Sequence, residues 1–156
     1  MATKKKTDKV QDNIIDLDLS VTQKQKYRIN GESGRILELN IQDMNMPSRF
    51  FETEPKIDEL LKEWSSIDTA DDEKSIADKL KELDDVLRTY LDYIFDTNLS
   101  EVVAPSGSMF DFINGKFRFE HILEVITNLY QTTIQKETQL MLKNMSKHTG
   151  KYQKNV

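Results

Sequence analysis

The chain has 156 residues, of which 37% are hydrophobic and 31% charged, with 22 Lys and Arg against 27 Asp and Glu for a net charge of −5. That length suits one domain with a modest core, and the absence of cysteine excludes disulfides, zinc thiolates and a thiol nucleophile. Unbroken apolar runs reach only two or three residues, which excludes a bilayer-crossing helix, since that needs roughly 18 to 20 apolar residues.

Residues 1–12 begin MATKKKTDKV, positive but with no hydrophobic stretch behind, so the reading is a disordered basic tail rather than a secretory signal, and a cytoplasmic setting is expected. Residues 13–42 read as a small antiparallel sheet. Ile15, Leu17, Leu19 and Val21 alternate with Asp16, Asp18 and Ser20, a half-buried strand pattern. Tyr27 and Ile29 form a second face, Asn30-Gly31 and Gly34 supply a hairpin turn, and Leu37, Leu39 and Ile41 resume the alternation.

Residues 43–140 read as the helical part of the same domain. Asp43 or Asn45 caps a helix whose first turn accepts Pro47, and Pro55 predicts a kink or a break at Thr53-Glu54, with a second helix starting at Pro55. After a capping loop at 65–72, Ile76, Leu80, Leu83, Leu87, Tyr90 and Ile94 recur in steps of four and three over 72–96, and Val86, Leu91, Tyr93 and Phe95 widen that stripe. The width points to packing within a helical cluster rather than a free zipper. Asn98 is expected to end this helix in a left-handed conformation, with a short turn or helix over 100–103 behind it. Pro105 and Gly107 mark a break, Met109 to Ile113 a short apolar segment, and Asn114-Gly115 another turn. From Phe117 a long helix runs through Tyr130 toward Met145, and residues 141–156 form a basic, flexible C-terminal tail. The fold class is thus α+β, a small N-terminal hairpin sheet followed by a mainly α-helical bundle.

The two ends contribute +3 (residues 1–10) and +4 (residues 141–156), which leaves −12 on residues 11–140. An acidic body does not grip phosphates, so specific nucleic-acid binding is not expected. His121 and His148 are too far apart for a metal-binding pair, and His121 reads as a hydrogen-bonding residue. Asp71, Asp72, Glu73, Asp84 and Asp85 lack calcium-loop spacing and read as structural or solvated. Gly31-Glu-Ser-Gly34 leads into a strand and not a helix, so it is a hairpin and not a phosphate loop. No catalytic residue, cofactor or metal is expected. What remains is apolar surface: Met109, Phe110, Phe112 and Ile113 lie beside turn residues, and Met141 and Met145 lie on a polar helix end, where methionine suits adaptable contacts.

Two segments resemble a known family. RILELNIQDMNM over 35–46, followed by Arg49, is similar to the strand-to-helix junction of tail assembly chaperones encoded by phages and prophages of Gram-positive bacteria. YLDYIFD over 90–96, with Leu99 to Val103 and Phe110 to Leu123, is similar to the second half of the same proteins, so the resemblance spans Ile15 to Tyr130. One departure is Asp96-Thr97-Asn98, where a glycine is expected soon after the phenylalanine. The resemblance implies a non-enzymatic role in tail morphogenesis, namely binding the helical tape measure protein while tail tube subunits polymerise around it, and absence from the finished particle. It also implies that a longer, frameshifted form exists in some members. On the residues alone, a connector retained in the particle and a small nucleic-acid-associated regulator stay open as alternatives, as does a homo-oligomer built on the 76–94 stripe.

Overall fold

The computed structural model describes residues 13–19 and 24–153, with side chains through Met145. The expectations for residues 1–12, Val21 and residues 154–156 lie outside the described residues. An N-terminal hairpin pairs β1 (Gln25–Arg28) with β2 (Ile36–Leu39) in antiparallel register, Tyr27 opposite Leu37. Helices α1 (Met46–Ser65), α2 (Glu73–Phe95) and α3 (Leu99–Val103) follow. A second hairpin, β3 (Phe112–Ile113) with β4 (Lys116–Phe117), leads into α4 (Arg118–Gln153). This is the expected α+β arrangement.

The first hairpin turns where Asn30 and Gly31 both take positive φ, 52° and 74°. Hydrogen bonds from the Ile29 amide to the Arg35 carbonyl and from the Arg35 amide to the Glu32 carbonyl close the turn. Leu37 and Leu39 then point inward and are buried, as period-two alternation requires. Asn114 and Gly115, with φ of 52° and 82°, make the same turn chemistry between β3 and β4, the pairing of two positive φ values that suits a two-residue hairpin loop.

The 72–96 expectation holds closely for α2. Asp72 caps it, its carboxylate accepting from the Ser75 amide at 2.7 Å. That hydrogen bond holds the Asp72 carboxyl below its ordinary range. Leu83, Leu87, Leu91, Ile94 and Phe95 are the buried face, and they pack with Met46, Ile57 and Leu60 of α1 and with Phe119, Ile122, Ile126 and Tyr130 of α4 in one core. The short helix after it appears as α3.

Four expectations need correction. Residues 15–19 carry neither strand nor helix, and Ile15, Leu17 and Leu19 are 77–84% exposed. Alternation made them strand-like, but a strand forms only where a neighbouring edge pairs with it, and among the described residues no strand does so. The break at Thr53-Glu54 is absent, and α1 continues through Pro55. Pro55 leaves the Phe51 carbonyl without its intrahelical donor, yet Phe51 is 69% exposed, so water can reach that side of the helix and the loss is tolerable. The left-handed terminus of α2 is Asp96, at φ 51° and ψ 47°, not Asn98; aspartate, like asparagine, visits this region more readily than most residues. Finally, the long helix does not stop near Met145 but runs on through Gln153.

A polar row on α2 holds the irregular segment that follows α3. Asp84, Arg88 and Asp92 lie one turn apart. Arg88 pairs with Asp84 at 2.9 Å and donates to the carbonyls of Ser100, Ala104 and Gly107. Asp84 accepts from the Met109 amide at 2.7 Å, and Asp92 accepts from both the amide and the hydroxyl of Ser100. These side chains replace the ladder bonds that a non-repetitive segment lacks.

Two outcomes follow. Arg88→Met keeps the aliphatic stem but removes every donor, leaving Asp84 and three carbonyls short of partners; urea unfolding should show a loss of about 2–4 kcal/mol, and a loss below about 0.5 kcal/mol would contradict the clamp. Tyr130 is fully buried and its hydroxyl has no hydrogen-bond partner among the described residues. Burial pushes that phenol up to about 12. A pKa raised above the unfolded value of about 10 means stability present below about pH 10 and lost as pH rises toward 12. Tyr130→Phe should therefore leave neutral-pH stability unchanged or raised by up to about 1 kcal/mol, and should flatten the alkaline loss in a pH series of thermal melts.

Candidate partner-binding surfaces

The segment from Met109 to Ile113 is divided by its own fold. Gly107 takes φ 86°, and an added Cβ there would meet the Asp111 carboxylate at 2.8 Å. The chain turns inward at that point, so Met109 (0% exposed) and Phe110 (6%) enter the core. They do not present surface to a partner. Phe112 and Ile113, at the start of the second hairpin, are 63% and 36% exposed.

Aromatic stacking fixes this hairpin against two helices. Trp64, near the end of α1, lies parallel to Phe110 with ring centroids 6.3 Å apart and meets Phe117 edge-on at 5.0 Å. Phe117 continues the stack onto Phe119 of α4 at 5.5 Å and lies 4.5 Å from Phe112. Such pairs contribute roughly 0.5–1.5 kcal/mol each beyond area burial. The base of the hairpin is held by Arg118, which donates to the Ser108 carbonyl and pairs with Asp111. The Ser108 amide bonded to Asp111, followed by that arginine, keeps the Asp111 carboxyl below its ordinary range. His121 hydrogen-bonds the Ile113 carbonyl, the structural role its context suggested.

A second surface is the far half of α4. The buried stripe Ile122, Ile126, Tyr130 ends at Ile134, the last residue of α4 packed against the core. From residue 135 through Met145 every position is exposed, and residues 135–153 extend roughly 28 Å at 1.5 Å per residue. Met141 and Met145 lie seven and eleven residues after Ile134, within about 20° of the same line along the helix. Leu140, Met141, Leu142 and Met145 are each 55–56% exposed.

A third surface was not anticipated from the sequence. Between the inner face of the first hairpin and α4 lies an open groove of about 440 Å³, lined by Tyr27, Ile29, Leu37 and Leu39 on one side and by Val125 and Leu129 among others on the other. Val125 is 63% exposed. The signal was there in Val125 and Leu129 at helical spacing beside a two-stranded sheet, which is too narrow to cover a helix face.

Among the described residues no group of three or more His, Cys, Asp or Glu is arranged to hold a metal ion, and no helix is long and apolar enough to cross a membrane. Asp71 and Glu73 are exposed beside the Asp72 cap, and Asp84 serves the clamp. No protein-family model matches the chain, nor does any curated protein or solved structure.

The division of the six anticipated contact residues is measurable. Met109→Ala should cost about 2–5 kcal/mol in denaturant unfolding, as buried truncations do. Met141→Glu with Met145→Glu should change stability by no more than about 0.5 kcal/mol, since nothing in the core touches them.

Proposed function

We propose that the chain is a non-enzymatic tail assembly chaperone of a phage or prophage, which binds the apolar stripes of a long helical tape measure protein in the bacterial cytoplasm before tail tube subunits enclose it. The observation that carries this reading is the projecting end of α4, where Leu140, Met141, Leu142 and Met145 stay exposed on a helix that has left the core. An amphipathic helix docks through anchors at steps of three and four, and a row of methionines adapts to more than one such face. Phe112 and Ile113 supply a further apolar contact at the hairpin. The resemblance at residues 35–49 and 90–103 supports the same reading. So does the charge, since an acidic body resists nonspecific association with nucleic acid while a partner is being held.

Co-expression with the tape measure protein from the same gene cluster is the direct test. A soluble complex should elute together, and Met141→Glu with Met145→Glu should weaken it by on the order of tenfold or more without altering the fold. A tape measure protein equally soluble alone, with no complex, would sink the proposal. Mass spectrometry of purified tails should find the chain absent; finding it there at stoichiometric level would favour a retained connector.

A further inference from the structure

We infer that the end of α4 is held by two adjacent helices of its partner at once, one laid on Met141 and Met145 and the other, edged with carboxylates, laid on Leu140 between Lys136 and Lys143. The inference rests on the proposed role of this end as the holder of a helical partner, and it names the form and charge of what is held.

Position round the helix separates the two faces. Met141, Leu142 and Met145 fall within about 100° of the circumference at roughly 100° per residue, which is the width of stripe that one packed helix covers. Leu140 lies about a further 100° beyond Met141, with Glu137 and Asn144 on the strip between. That strip is already engaged from outside, since the Glu137 carboxylate accepts from the Gln42 side chain at 3.3 Å. A single helix on the methionine face would therefore leave Leu140, 55% exposed, in water. A helix with apolar residues on more than one face is one that packs among several neighbours.

Charge decides what the second face takes. Lys136 and Lys143 stand four residues before and three after Leu140, so both lie within about 60° of it round the helix. Their alkyl stems widen the apolar patch while the ammonium groups stay at its rim. Among the described residues neither lysine is in an ion pair. A leucine framed by two such cations fits a helix whose apolar stripe is flanked by Asp or Glu, the pairing that sets partner choice in packed helices. A second copy of this end is a poor occupant, because residues 135–153 carry four lysines against one glutamate and would repel their own kind. The body of a second copy offers no matching stripe either: among the described residues, α1 and α2 expose only Phe51, Leu80 and Tyr93 as large apolar side chains.

Because the chain has no cysteine, Leu140→Cys and Met145→Cys each give a single site for a photo-activated cross-linker on the full chain bound to the tape measure protein of its gene cluster. Peptide mapping should find two different partner segments. One segment reached from both sites would overturn the inference and leave the chaperone reading intact. Leu140→Glu should weaken the complex on the order of tenfold, as should Lys136→Glu with Lys143→Glu, whereas Lys136→Arg with Lys143→Arg should keep it within about twofold. All three positions are exposed, so the fold is retained, and a complex indifferent to both glutamate variants would overturn the inference. Cross-links to a second copy of this chain would overturn it too. If no complex forms, the chaperone reading fails by itself and a designed probe decides the inference: a helical hairpin with leucine stripes and glutamate flanks should bind the full chain about tenfold tighter than either of its helices alone, and equal or absent binding would overturn it.

Discussion

The fold depends on a single ion pair placed on the outside of a regular helix for the benefit of an irregular one. Asp84 and Arg88 of α2 are four residues apart, the ordinary spacing of a helical pair, and as a surface pair they would contribute little. Here they are less than one-fifth exposed, and their remaining hydrogen-bonding capacity goes to segment 100–109. Beyond α3 the stretch 104–109 has no ladder of its own, so its carbonyls and amides depend on side chains. Once it is held, Gly107 turns the chain, Met109 and Phe110 fall into the core, and the β3–β4 hairpin sets its rings on Trp64.

The same device recurs at other helix ends. Neither α2 nor α3 carries a basic residue in its last turn, although cations there satisfy terminal carbonyls and oppose the helix dipole. Distant arginines supply the need. Arg49 of α1 donates to the Ile94 carbonyl of α2 while pairing with Asp43, and Arg35, just before β2, donates to the carbonyls of Val102 and Val103 on α3. Each of these bonds ties two elements together at a point where one of them stops. The arginines therefore fix how the helices are arranged, while the leucines supply the bulk of the burial.

This explains which features could be read from the amino-acid order. The α2 stripe, the turns at Asn30-Gly31 and Asn114-Gly115 and the Asp72 cap are local, with cause and effect inside a few residues. The bonds from Arg49 and Arg35 to helix-end carbonyls span 45 to 68 positions, and no spacing rule reaches so far. Met109 and Phe110 looked like surface because turn residues flank them; the positive φ at Gly107 that sends them inward is legible only with Asp111 and Arg118 in place. Residues 15–19 fail for the opposite reason. Their alternation describes a strand faithfully, but a strand also requires a paired edge, and among the described residues no strand pairs with them. At Pro55 the local rule was real but weaker than packing, because the freed carbonyl lies on a side open to water.

The apolar surfaces left over are spaced along α4, and that spacing bears on how they can be used. Val125 and Leu129 border the groove beside β1, while Met141 and Met145 lie at least twelve residues farther on, about 18 Å along the helix. A segment covering the groove would bury the first pair without reaching the second. Residues 135–145 are all exposed and take no part in the core, and an isolated helical stretch of that length is marginal in water, so it is held as helix chiefly by its continuity with Ile122, Ile126 and Tyr130. A partner binding at Met141 and Met145 would therefore stabilise helix that the domain has already nucleated, and would lose little ordering entropy in doing so. The groove beside β1 and the methionines farther along α4 are thus two separate surfaces of one helix, and occupying one leaves the other accessible.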